Sequence, residues 1–76
     1  ARGAAAVLKA AQDALVSGDL QWALELADRL IAANDLSADG AQVKIDALRL
    51  IADDTVNAPT RNYYLLCARE LEEQSE

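Results

Sequence analysis

Histidine is missing from all 76 residues, and so are methionine and phenylalanine. Without histidine the chain has neither the commonest general base near neutral pH nor the commonest zinc ligand. The lone cysteine, Cys67, cannot close a zinc site or form an internal disulfide, so the fold does not depend on an oxidising compartment. The serines have no plausible base to activate them, which removes a nucleophilic triad. Only three glycines occur, and none sits in a phosphate-cradling loop. Aromatics make up 4%, which disfavours a β-sandwich. Basic residues are scarce too: seven against thirteen acidic ones, a net charge of −6. That balance argues against nucleic acid, which is bound through clustered Lys and Arg, and against an anionic membrane surface. No apolar run approaches the roughly 18–20 residues needed to span a bilayer. Nor is there a signal-peptide pattern of basic start, apolar core and cleavage site.

What is present is alanine, leucine and helical spacing. Hydrophobic residues reach 53%, in text that favours close-packed helices. The organising stretch is Ser17–Asp35. Gly18 takes the left-handed turn that ends one helix, and Asp19 caps the next. Leu20, Ala23, Leu24, Ala27, Leu30 and Ile31 then form one apolar stripe, with Glu25, Asp28 and Arg29 largely outside it. A preceding helix is expected from about Ala4 to Val16, burying Ala4, Val7, Leu8, Ala11, Ala14 and Leu15. The second runs from Leu20 to Ala33 and is broken by Asn34-Asp35-Leu36-Ser37. The third runs from about Ala38 to Asp53, capped by Ser37 or Asp39. Its main stripe is Val43, Ala47, Leu50 and Ile51, with Leu48 at the margin; Gly40 near its start costs little. The fourth runs from Ala58-Pro59 to Glu72, with Tyr64, Leu65, Cys67, Ala68 and Leu71 inward and an acidic, fraying tail to Glu76. The expected fold is all-α: four antiparallel helices as two stacked hairpins. The first hairpin has tetratricopeptide grammar in Ala11, Gly18-Asp19, Ala23, Ala27 and Leu30, and the second does not repeat its text. At this length a single helical domain over 1–76 is expected. The start Ala1-Arg2-Gly3 reads as a piece excised from a longer chain.

Candidate chemistry is sparse. Asp53-Asp54 and Glu72-Glu73 are adjacent on helices, so each pair points about 100° apart and reads as solvated surface. Asp35-Leu36-Ser37 inverts the Asp-Ser-Leu order that acyl carriers use for their arm, and Ser37 reads as a cap. Cys67 reads as a buried structural thiol. Trp22 lies beside the main stripe of its helix, open to internal packing or to a partner. In Ala58–Leu65, Arg61 is expected to pair with an acidic neighbour while Tyr64 packs inward; the sharper reading puts this helix start against another domain or subunit.

Several words taken together resemble a known family. They are Gly18-Asp19-Leu20-Gln21-Trp22-Ala23-Leu24-Glu25-Leu26, Asp46-Ala47-Leu48, Asn57-Ala58-Pro59-Thr60-Arg61-Asn62-Tyr63-Tyr64-Leu65 and Ala68-Arg69-Glu70-Leu71. Their order and spacing resemble the dimerisation domain of the alkyl sulfatases, zinc enzymes of the metallo-β-lactamase superfamily. Leu20, Ala52-Asp53, Thr60 and Leu66-Cys67 depart from the family pattern and mark a divergent member. The resemblance implies a parent in which a β-lactamase-like domain carries paired zinc ions and a sterol-carrier-like domain follows. The helical domain holds two subunits together and supplies neither catalytic residue nor cofactor. It implies a homodimer, contacts with the parent's catalytic domain, and Trp22, Arg61, Asn62 and Tyr63 as interface or structural residues. The rival readings are a tetratricopeptide-like module binding a peptide or partner helix, and a small enzyme or carrier. The parent's substrate and compartment stay open.

Overall fold

The structure, a computed structural model, describes residues 3–75, and of Ser75 the backbone alone. Its helices are α1 (Gly3–Ser17), α2 (Leu20–Ala33), α3 (Ser37–Asp53) and α4 (Ala58–Ser75), with no strand among the described residues. The two expected hairpins form: α1 packs on α2, and α3 on α4. They stack because α3 lies against α2 and also reaches α1. The backbone of α4 approaches that of α3 alone. The result is a slab with Cα extents of 42 × 28 × 14 Å, open along one edge, and not a bundle closed on itself.

The turns follow from local chemistry. Gly18 has φ +87°, a region costly for any side chain but free for glycine. The Asp19 N–H then donates to the Ala14 carbonyl at 2.9 Å and that of Gly18 to Leu15 at 3.2 Å, satisfying the last carbonyls of α1. The Asp19 carboxylate accepts from the Trp22 N–H at 3.4 Å, the expected cap of α2. At the far end Asn34 is left-handed, φ 54°, and its N–H donates to Ile31. Leu36 is also left-handed, φ 54°, and precedes α3 with no side-chain cap. Neither Ser37 nor Asp39 caps that helix, because the link from Ala33 to Ser37 is so short that the reversal consumes the capping position and Ser37 is already helical. Asn57, by contrast, caps α4: its side-chain oxygen accepts from the Thr60 N–H at 3.0 Å. Helix α4 continues to Ser75, beyond the expected stop at Glu72; the tail's last residue, Glu76, lies outside the described residues.

Two clusters make the core. Ala11, Ala14, Ala23, Leu26, Ala27, Val43 and Ala47 join α1, α2 and α3. Ile45, Leu48 and Ala68 join α3 to α4, with Leu24, Tyr64, Cys67 and Leu71 packed against them. Helix α3 is therefore buried on two sides, which a single stripe does not describe. Ile45 and Leu48 are core, whereas Leu50, expected inward, is exposed. Leu26 is likewise buried although it lies off the expected stripe of α2, and Leu65 of α4 is exposed where an inward position was expected.

Helices α2 and α3 approach closely at Gly40. A Cβ built there would stand 2.9 Å from Leu30 Cβ and 3.2 Å from the Ala27 carbonyl oxygen. Both atoms belong to or adjoin the α2 backbone, so neither can swing aside. The glycine in α3 is thus a packing requirement, not a tolerated weak point. Gly40→Ala gains at most about 1 kcal/mol of helix propensity and suffers about 1–3 kcal/mol of overpacking. It is expected to lower the urea midpoint of unfolding, while Gly3→Ala, with open space around it, lowers nothing; an unchanged or raised midpoint for Gly40→Ala would show that the two helices are not this close.

Candidate interaction surface

The up-and-down order of the helices brings the end of α1, the start of α2, the end of α3 and the start of α4 to the same end of the slab. Exposed apolar residues collect there and along α4. Val16 is 91% exposed and Val56 97%. On α4, Asn62, Leu65, Leu66 and Arg69 line one shallow concavity. Their spacing of i, i+3, i+4 and i+7 places them on a single helical face, the one α3 does not cover, and Leu66 is 53% exposed. A second groove lies between α1 and α3, lined by Leu15, Val16, Asp46, Arg49 and Leu50. The two adjoin, because Arg49 Nη2 reaches Glu72 Oε2 of α4 at 2.6 Å, and Glu72 follows Leu65 by seven residues along the same row. Exposed pairs of this kind contribute about 0–1 kcal/mol, so Arg49–Glu72 sets the register of α4 more than it stabilises it.

The four residues singled out from the sequence share that end but not one face. Trp22 sits at the start of α2, partly exposed, with the Arg29 guanidinium carbon 5.5 Å from its ring centre. That distance fits a cation–π contact between residues on one helical face, two turns apart at i, i+7. Asn62 lies on the uncovered face of α4. Tyr63 lies on the other flank of α4, where Lys44, Leu48, Tyr64, Cys67 and Glu70 make a further groove. Its ring meets that of Tyr64 edge-on at 5.7 Å. Arg61 is exposed and makes no ion pair among the described residues, in place of the expected acidic partner. Since the backbones of α2 and α4 do not come close, Trp22 is separate from the other three. Sequence reasoning did not single out Leu66. The signal was available in the doublet Leu65-Leu66: adjacent helical residues diverge by about 100°, so a helix with a partner on one side cannot bury both.

Reactive chemistry does not assemble anywhere on this surface. Among the described residues no three His, Cys, Asp or Glu side chains gather into a metal-holding group. Cys67 is a free, half-buried thiol against the α3–α4 cluster. Its hydrogen bond with Tyr63, and after that its charge, raise the Tyr63 phenol above the ordinary value. No helix among the described residues is long and apolar enough to cross a membrane.

What the fold and surface define is a helical module with its polar chemistry spent on caps and register and its unspent apolar area on the outside. The chain belongs to the alkyl sulfatase dimerisation family, which matches residues 1–74. An (R)-specific secondary-alkylsulfatase from a Pseudomonas species is 38% identical over 69 residues, covering 91% of this chain and 10% of the relative. A linear primary-alkylsulfatase from a Pseudomonas species is 33% identical over the same share of each. A second linear primary-alkylsulfatase, also from Pseudomonas, is 38% identical over 66 residues, 87% of this chain and 12% of its own length. The chain therefore spans about a tenth of the length of the curated relatives it matches. No solved structure matches it.

The Trp22–Arg29 contact can be measured apart from any partner. A double-mutant cycle of Trp22→Leu and Arg29→Ala, read by urea unfolding, is expected to give a coupling of about 0.5–1 kcal/mol. Zero coupling would mean that the ring and the guanidinium are neighbours without interacting.

Proposed function

We propose that this chain is a single, non-catalytic helical domain that holds two copies of an alkylsulfatase-like parent together as a homodimer and also touches the parent's catalytic domain. That catalytic domain is of the metallo-β-lactamase type, and its zinc chemistry is carried outside these 76 residues. The observation that supports this reading is the uncovered apolar face of α4, where Leu65 and Leu66 stand exposed beside Asn62 and Arg69. Membership of a dimerisation family gives that face a reason. Asn62, with Arg61 beside it, belongs to the contact between copies. Tyr63, exposed on the other flank of α4, has a structural role through its edge-on contact with Tyr64. Trp22, on the far helix, faces the catalytic domain.

The second reading, a module that takes a peptide, has one observation in its favour: the groove of about 390 Å³ between α1 and α3. A basic partner would suit a net charge of −6. Sedimentation separates the two. The dimerisation reading expects a concentration-dependent dimer of the purified chain, and a strict monomer at every micromolar concentration sinks it. Leu66→Glu is expected to weaken the dimer at least tenfold while leaving the helical circular dichroism and the urea midpoint of the monomer unchanged. Burying one leucine is worth about 1.5–3 kcal/mol, and a two-fold contact uses the same residue twice.

A further inference from the structure

We infer that two copies of this chain meet α4 against α4 in antiparallel alignment, the Arg61 end of each helix lying beside the Glu73 end of the other. This rests on the self-association reading above and adds to it the face and the direction. The backbone of helix α4 comes close to that of α3 alone, with Leu24 of α2 packed against the α3–α4 cluster. On its other side Asn62, Leu65, Leu66, Arg69 and Glu73 recur at i, i+3, i+4, i+7 and i+11, a nearly straight row along the helix. Charge along the helix is one-sided. Residues 58–68 carry Arg61 and no acid, whereas residues 69–75 carry Arg69 against Glu70, Glu72 and Glu73.

Closed pairs of identical chains use the same patch twice about a two-fold axis. If that axis ran along α4, the two acidic halves would lie side by side and repel. If it crosses α4 near Leu66-Cys67, each acidic half meets the half that holds Arg61. The same crossing sets Leu65 opposite the aliphatic stem of Arg69 from the other copy, which can cover it while the guanidinium stays in water. The charges that remain fit this arrangement. Glu72 is engaged by Arg49 within the chain, while Arg61 and Glu73 are exposed and make no ion pair among the described residues. Arg69 and Glu70 are also exposed and without an ion pair among the described residues, but Arg61 and Glu73 stand equally far to either side of Cys67, so the crossing brings these two together.

The test uses the chain and two charge reversals, Arg61→Glu and Glu73→Arg, each alone and mixed, with dimer dissociation followed by sedimentation equilibrium. Each variant alone places like charges together twice per dimer and is expected to dissociate about tenfold more readily than the wild type. An equimolar mixture restores opposite charges at both contacts and is expected to form mixed dimers in preference to either parent dimer. Wild-type dimers with no loss in either variant and no preference in the mixture overturn the antiparallel contact and leave self-association standing through another face. A wild type that stays monomeric overturns both.

Discussion

The approach of α3 to α2 at Gly40 is the contact on which the rest of the slab depends. With a hydrogen in place of a side chain, the start of α3 sits directly on the Ala27 carbonyl and the root of Leu30. That closeness draws Val43 and Ala47 into the alanine-rich cluster shared with α1 and α2. Once α3 is seated there, its opposite side, Ile45 and Leu48, still has apolar area to bury, and α4 is the element that covers it. The order of packing explains the shape. Helix α3 is central, α1 and α2 lie to one side of it, and α4 to the other, so α4 is left with an uncovered flank.

Much of this was legible from spacing, and the parts that were not have physical reasons. Each helix is announced by its apolar repeat, and the Gly18-Asp19 turn behaves as its residue types require. Burial was legible where a helix has one buried side, as at Ala11, Ala14, Ala23, Ala27 and Leu30. It failed for Leu26 and Ile45, because a stripe read from one side of a helix leaves out residues buried against a second neighbour. It failed in the other direction for Leu50 and Leu65, which satisfy the period but lie where no neighbour stands. By sequence Gly40 is an inexpensive helix-start glycine, since nothing local shows that another backbone is close. The left-handed Leu36 was equally invisible: leucine has no preference for that conformation, and only the shortness of the link imposes it. Of the interaction surface, Arg61, Asn62 and Tyr63 were identifiable as an unusual helix start, but their division between two flanks of α4 needed the position of α3.

The composition bears on how such a domain behaves. Its larger cluster is built mostly from alanine, which lets helices approach closely but removes little apolar area from water per residue. Close packing supplies dispersion contacts, yet a chain of this length leaves a large share of its surface exposed. The larger apolar side chains are divided: Leu26, Leu30, Val43, Ile45 and Leu48 are buried, whereas Val16, Leu50, Leu65, Leu66 and Val56 are outside. A sequence selected only for a stable monomer would place leucines where α1, α2 and α3 meet and polar residues along the free side of α4.

The opposite distribution has a thermodynamic consequence. Area that stays exposed in one copy becomes available to the contact between two, and any partner that binds the folded form alone adds to its stability by mass action. Folding and association are then linked: the surface that weakens the isolated slab is the same surface that rewards a second one. Alanine at the α1–α2–α3 junction keeps that slab thin, with α4 at its edge, and in the proposed antiparallel contact the one-sided charge of α4 gives the apolar face a direction. In this arrangement specificity comes from where Arg61 and the carboxylates of residues 70–73 lie along the helix, and affinity from the leucines between them.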